Sequence, residues 1–172
     1  MKKIIRIIAF ICIAATIVSF AGCLSSKPEA KTFEKGGLKI TLDDSFISSV
    51  SADTGNLTFM SYSTGNAVVA KKEAFSRLEE LKYDTEKMTV KEYAELIVND
   101  NKFDTEIKED GTFVYFEHVI KNTDDADETF KYFSAVYKSD EAFWLIHFGC
   151  TEENYDTNRE SFATYAKSVS FQ

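Results

Sequence analysis

Apolar and polar positions alternate over several short stretches of the chain, which is the period of a β-strand. In GLKITL, the alternation places Leu38, Ile40 and Leu42 on one face of a predicted strand. LTFMSY and NAVVAKKEAF predict two more strands, and the second of them continues into a helical turn at FSRLEELK. The STGN motif at 63–66 separates these strands with residues that favour turns. The pattern therefore predicts mainly strands from Phe33 onward.

Two later segments repeat their apolar residues at the spacing of a helix. In MTVKEYAELIVND, Thr89 and Glu92 have the spacing of a capping box. The expected inward stripe of this helix is Val90, Tyr93, Ala94 and Ile97. A second helix is predicted behind Thr151, whose hydroxyl we expect to cap it. Its predicted inward residues are Tyr155, Phe162 and Ala166.

Two hairpins and a short last strand complete the predicted elements. KFDTEIKEDGTFVYFEHVIK turns at Asp110 and Gly111, and ETFKYFSAVYKSDEAFWLIHFG turns at 139–141, before the final strand KSVSF. AFWLIHF is apolar on both faces, with Phe143 and Leu145 on one side and Trp144, Ile146 and Phe148 on the other. Such a strand indicates a sheet that is covered on both sides, with helices as the available cover.

This order of elements, with the segment AVYKSDEAFWLIHFGCTEENYDTNRESFATYAKSVSF, resembles the Mog1/PsbP-like fold. Within that fold, the chain is similar to small secreted lipoproteins of the DcrB type, and the resemblance covers roughly residues 33–171. It implies an α+β fold in which helices flank an antiparallel β-sheet, as an α/β/α sandwich. It transfers no catalytic residue, and it implies a binding or accessory protein, as the better-known members are.

The first 22 residues have the pattern of an export signal. Three cations precede the uncharged, mostly apolar run 7–20, which as a helix would reach only about 21 Å of a hydrocarbon core about 30 Å thick. FAGC, at its end, resembles the lipobox of bacterial lipoproteins. That resemblance implies cleavage between Gly22 and Cys23 and a diacylglycerol on Cys23. An ordinary signal peptide with a chance cysteine remains the alternative.

Cleavage at this position predicts three parts. They are a signal peptide at 1–22, a lipidated cysteine with a polar tether at 23–32, and a single α+β domain at 33–172. Because the signal peptide carries three cations and no acid, its removal changes the formal charge from −8 to −11. That charge opposes nucleic acid and anionic bilayers as partners. The predicted membrane contact is therefore the lipid on Cys23, at the extracytoplasmic face of the cell membrane.

The mature domain offers few residues for catalysis or metal binding. His118 and His147 are its only imidazoles, and a metal site that adds Glu117 has no support from ligand spacing. We expect both histidines to be satisfied core or sheet-edge residues. Cys150 is its only cysteine besides Cys23 and closes an apolar run, so burial is expected. The acidic residues Asp124, Asp125, Asp127 and Glu128 lack the spacing of a calcium loop.

Aromatic residues make up 14% of the chain, and most of them must lie in the core. The alternative is that Tyr115, Tyr132 or Trp144 lines a groove for a ligand. The sequence thus predicts a non-enzymatic binding or accessory module whose partner is an unknown protein or small molecule, without cofactor, metal or catalytic residue. An enzyme with a cryptic site near His147 and the aromatic strands is the competing hypothesis.

Overall fold

The computed structural model describes residues 28–50, 55–121 and 128–172. The strands in these ranges are β1 Ala30–Lys35, β2 Leu38–Asp43, β3 Ile47–Val50, β4 Leu57–Ser61, β5 Asn66–Ala74, β6 Lys108–Asp110, β7 Phe113–Lys121, β8 Thr129–Lys138, β9 Ala142–Thr151 and β10 Ser170–Phe171. The helices are α1 Phe75–Glu80, α2 Val90–Asn101 and α3 Glu152–Lys167.

All strand pairs are antiparallel, and they form two sheets. The larger sheet has the order β3-β4-β5-β9-β8-β7-β6, and the smaller sheet has the order β1-β2-β10. This arrangement of strands and helices confirms the predicted α+β class. None of the helices in the described ranges has the length and hydropathy needed to cross a bilayer.

The first face of the larger sheet packs against α3 and the smaller sheet. Phe148 and Ile146 of β9 lie in one buried cluster with Ile40 of β2 and Phe162 of α3. The predicted faces of β2 and α3 are confirmed, because Leu38, Ile40, Leu42, Tyr155, Phe162 and Ala166 are all buried. The cover on this side is thus a helix and a small sheet, whereas the sequence suggested helices alone.

The second face of the larger sheet carries α1 and α2. Phe143 and Leu145 of β9 form a second buried cluster with residues of α2, and the Phe143 ring stacks on Tyr93 at a centroid distance of 4.3 Å. The predicted capping box begins α2: Glu92 N–H donates to Thr89 Oγ1, and Thr89 N–H donates to a Glu92 carboxylate oxygen. The two apolar faces of β9 therefore belong to two separate cores.

The structure departs from the sequence-based assignment at three places. The Thr151 hydroxyl does not cap α3, because it accepts from Asn154 Nδ2 at 2.9 Å instead. The strand β3 was not predicted, since its four residues are all exposed and show no burial alternation. The first strand begins at Ala30, so the last residues of the predicted tether range pair with β2.

Candidate functional site

Strand register places the two histidines on either side of one serine. Ser134 on β8 lies opposite His147 on β9, while His118 on β7 lies opposite Tyr132, two residues before Ser134. Directly opposite residues share a sheet face, so these side chains all lie on the second face, beyond the end of the core under α1 and α2. The sequence indicated histidines in the core or at a sheet edge, and the structure brings the two together with Ser134 in one group.

The Ser134 hydroxyl joins the two imidazoles. Ser134 Oγ is 2.7 Å from His147 Nδ1 and 3.4 Å from His118 Nδ1, and the two rings are 5.8 Å apart. A hydroxyl has one proton, so it can donate to only one of these nitrogens and must accept from the other. Ser134 itself has 0% of its surface exposed. The three side chains form a hydrogen-bonded group in which the oxygen is closed to solvent.

Aromatic rings surround His118. Phe103 stacks on its imidazole at 4.0 Å and Tyr132 at 5.3 Å. Its Nε2 is buried and has no hydrogen-bond partner among the described residues. This burial lowers the pKa of His118 from its ordinary value to about 4.

His147 is also held neutral. Its pKa lies well below the usual value, chiefly through burial. Repulsion from His118, when that imidazole is protonated, and the positive charge of Lys71 lower the pKa further. Both imidazoles are therefore uncharged near neutral pH, and a proton would be costly on either of them. As a general base, this group is poorly suited to act, because neither imidazole takes up a proton readily. The described ranges hold no cluster of three or more His, Cys, Asp or Glu side chains placed to bind a metal.

Glu117 does not join the histidines. It follows the strand alternation onto the first face, where Arg159 of α3 donates to Oε1 from two nitrogens, at 2.7 and 3.1 Å, and Tyr155 donates to Oε2 at 2.9 Å. Burial opposes ionisation of Glu117, but these hydrogen bonds and the Arg159 charge outweigh it and lower the carboxyl pKa. Glu117 therefore does not form a metal site with the two histidines. Its carboxylate instead links β7 to α3.

A glycine next to the histidines receives an aromatic ring. Gly149 lies opposite Tyr132, and a Cβ at Gly149 would overlap Cδ1 and Cε1 of the Tyr132 ring. The ring thus covers the glycine backbone and fills the place of its missing side chain, as in aromatic rescue of strand glycines. The strand needs glycine at this position because of the ring.

We expect Gly149→Ala to lower the free energy of unfolding by about 1–3 kcal/mol, because the Tyr132 ring must move away from its stacking position. The measurement is urea denaturation followed by circular dichroism. In a Tyr132→Ala background, the same substitution should cost less than about 0.5 kcal/mol, since no ring is displaced. Equal costs in the two backgrounds would contradict the assigned contact.

Cys150 is buried, as the sequence predicted, with 2% of its surface exposed. This burial raises the pKa of its thiol to about 11. Because the thiolate is the reactive species, Cys150 is a poor nucleophile near neutral pH.

A thiol-specific aromatic disulfide at pH 8 should therefore react with Cys150 at least about 100-fold more slowly in the folded protein than in urea. The reaction is followed by absorbance, using protein whose Cys23 is blocked by its lipid or replaced by alanine. Equal rates in folded and unfolded protein would show that the thiol is accessible.

The other predicted site residues divide between the core and the undescribed ranges. Trp144 is buried and stacks on Phe171 at 5.2 Å, while Tyr115 is partly buried and stacks on Phe133 at 4.5 Å. Tyr132 is partly buried over Gly149. Gly22 and Cys23, as well as Asp124, Asp125 and Asp127, lie outside the described residues.

Sequence reasoning missed Ser134 and Arg159, for different reasons. The predicted hairpin of β8 and β9 brings Ser134 near His147 only approximately. A three-residue turn at 139–141 would pair Ser134 with Ile146, whereas the observed pairing of Lys138 with Phe143 places it opposite His147. Arg159 carried no such indication, because its partner Glu117 is on a strand 42 residues earlier.

No protein-family model and no curated protein sequence matches the chain. Similar solved structures include the cyanobacterial PsbP protein (CyanoP) of Synechocystis sp. PCC 6803, with a TM-score of 0.51 and 12% identity over 90% of this chain and 99% of that one. A crystal structure from Bacteroides thetaiotaomicron has a TM-score of 0.53 and 13% identity over 83% of this chain. The matched region spans about half, 48%, of that second chain. These likenesses establish a PsbP-like fold, as the sequence predicted.

Proposed function

We propose that this chain is a lipid-anchored extracytoplasmic protein that acts as a non-enzymatic binding or accessory module. The observation that carries the non-enzymatic part is the state of the Ser134 group. Its hydroxyl is closed to solvent, and the histidine beside it is held neutral. A serine nucleophile needs access for the substrate and a neutral base that takes up a proton readily, and the low pKa of His147 opposes the second requirement. The PsbP-like fold is compatible with the accessory role that the sequence resemblance implies.

The anchored part of the proposal is supported by the sequence around Cys23. The FAGC motif follows an apolar run too short to span a bilayer comfortably, and the formal charge of the domain opposes electrostatic attachment. A lipid on Cys23 would give the protein its membrane contact, and the partner would be a protein or small molecule at the extracytoplasmic face.

Topology can be tested on intact cells with a membrane-impermeant maleimide. Asp140 lies in the exposed turn between β8 and β9, so Asp140→Cys should react in intact cells as fully as in permeabilised cells. The parent chain is the matched control, since its Cys150 is buried and Cys23 carries the lipid. Labelling only after permeabilisation would contradict the extracytoplasmic assignment.

One observation favours an enzyme as the second candidate: the 2.7 Å contact between Ser134 Oγ and His147 Nδ1 has the length of a nucleophile–base pair. A fluorophosphonate probe distinguishes the two functions, because it modifies activated serines covalently. We expect no label on Ser134 in the folded protein. A label that is lost in Ser134→Ala would overturn the non-enzymatic proposal.

A further inference from the structure

The described chain begins at one corner of the larger sheet. Glu29 and Asp44 are hydrogen-bonded to each other: Asp44 N–H donates to Glu29 O at 2.7 Å, and Glu29 N–H donates to Asp44 Oδ1 at 3.3 Å. The strand β3 starts at Ile47, three residues after Asp44. The chain therefore enters the domain beside the beginning of β3.

Two exposed apolar side chains lie at the same corner. Ile47 has 56% of its surface exposed and Tyr62 has 66%, and they are two of the four large hydrophobic residues that the described ranges expose. Tyr62 follows the last residue of β4, Ser61, whose Oγ is 2.6 Å from that of Ser45. Ile47 pairs with Met60 of the same strand. Ile47 and Tyr62 are called the corner pair below.

The corner is held in place by hydrogen bonds around Asp43. Tyr165 of α3 donates to Asp43 Oδ2 at 2.8 Å, and the Ser45 backbone N–H and hydroxyl donate to Asp43 Oδ1. The Ser45 hydroxyl continues the network to Ser61. This network fixes the loop that precedes Ile47 to the turn that carries Tyr62, so the corner pair forms one surface.

The distance from the proposed lipid to this surface is short. Glu29 is six residues after Cys23, and six extended residues span at most about 20 Å. A lipid on Cys23 would thus hold Glu29 within about that distance of the bilayer, and the corner pair lies on the part of the domain that Glu29 contacts. The remaining exposed apolar residues, Val50 and Val119, lie farther along β3 and across the sheet on β7.

We propose that the corner pair rests in the bilayer interface and orients the domain on the membrane. The inference depends on the lipid anchor of the proposed function. An isoleucine side chain gains free energy by entering the acyl boundary, and a tyrosine has an apolar ring with a polar tip that suits the headgroup layer. Two side chains bind a membrane weakly by themselves, but the tether keeps them at a high effective concentration near it.

The charge of the corner determines the kind of lipid. Three acids, Glu29, Asp43 and Asp44, stand at the chain entry against two cations close to it in sequence, Lys27 and Lys31, and the formal charge of the mature domain is −11, so an anionic bilayer surface would repel it. The contact is apolar, and it should be stronger on zwitterionic lipid than on bilayers rich in anionic lipid. This property separates it from attachment through a basic patch.

The test uses full lipidated protein in phosphatidylcholine vesicles that contain lipid with a shallow spin label. A fluorescent bimane is attached to Tyr62→Cys. The matched control carries the bimane on Asp140→Cys, in the turn between β8 and β9, at the other end of the larger sheet from the corner pair. An interfacial side chain lies about 5–10 Å deep, so the probe at 62 should be quenched at least about threefold more than the probe at 140. Adding Ile47→Glu should remove most of that difference, and replacing half of the lipid by phosphatidylglycerol should reduce it.

Equal quenching at the two positions in membrane-bound protein would overturn the orientation proposal and leave the anchor intact. The proposal would also be overturned if the probe at 62 were protected from a water-soluble quencher equally well in detergent solution and in vesicles. A second copy of the chain, and not the bilayer, would then cover the corner pair. If the protein with Cys23 intact does not stay with the vesicles at all, the lipid anchor fails instead. The two failures are therefore distinguishable.

Discussion

Replacing Cys23 by alanine is expected to move the protein from the membrane fraction to the soluble fraction and to abolish metabolic labelling with a fatty-acid analogue. One acyl chain gives only marginal membrane binding, whereas the two chains of a diacylglycerol give stable attachment. The domain has a formal charge that opposes other attachment. The corner pair is too small to replace the lipid. We therefore expect the membrane-bound share to fall by at least about tenfold.

Cys150→Ala is the matched control for this experiment. It removes the other cysteine of the mature domain, which lies buried at the end of β9, and leaves the proposed lipid site unchanged. It should stay in the membrane fraction and keep the acyl label. Labelling that persists in Cys23→Ala, or that disappears in Cys150→Ala, would contradict the assignment of the lipid to Cys23.

The elements that could be predicted are those whose information is local. The α2 helix begins with a capping box of Thr89 and Glu92, and the hairpin between β8 and β9 turns at the predicted residues. Alternation predicted the buried residues of β2, and the apolar character of both faces of AFWLIHF predicted the burial of β9 on two sides. The strand β3 escaped prediction because its four residues are all exposed, so neither alternation nor an apolar run marks it. Pairing with β4, not burial of its own side chains, makes it a strand.

The candidate site was less predictable because its contacts join distant parts of the chain. His118 could be placed on β7, but its pairing with Tyr132 requires a register between β7 and β8, and the number of residues between these strands does not fix one. Phe103, which stacks on His118, follows α2 and comes close only through tertiary packing. Strand alternation predicts that Glu117 lies on the face opposite His118. It does not predict that Arg159 of α3 is the partner of Glu117 on that face.

The neutral histidines make stability depend on pH, and His118 should dominate that dependence. Its pKa is about 4 in the folded protein and about 6.5 when unfolded. Between these values the unfolded chain binds more protons, so acid favours unfolding. The contribution is present in full above pH 6.5 and is lost as the pH falls toward 4. The difference between the two pKa values of His118 corresponds to a loss of roughly 3 kcal/mol in the free energy of unfolding. The lowered pKa of His147 acts in the same direction.

His118→Phe should remove this share of the pH dependence without weakening the fold at pH 7. Phenylalanine keeps the stacking with Phe103. It also removes the buried Nε2, which lacks a partner in the described ranges and in the wild type costs about 1–3 kcal/mol of stability. Urea denaturation from pH 7 to pH 4 measures the effect. Comparison with wild type cancels the acid loss from Glu117, whose lowered pKa also destabilises the fold at low pH.

Tyr132→Phe serves as the control, because it preserves the ring over His118 and both imidazoles, so it should keep the wild-type pH slope. If His118→Phe instead loses several kcal/mol at pH 7 and keeps the wild-type slope, then His118 is charged in the folded protein or its Nε2 has a hydrogen-bond partner there. That outcome would also reopen the enzyme alternative near His147, since a charged His118 beside Ser134 requires a compensating group that the neutral arrangement does not need.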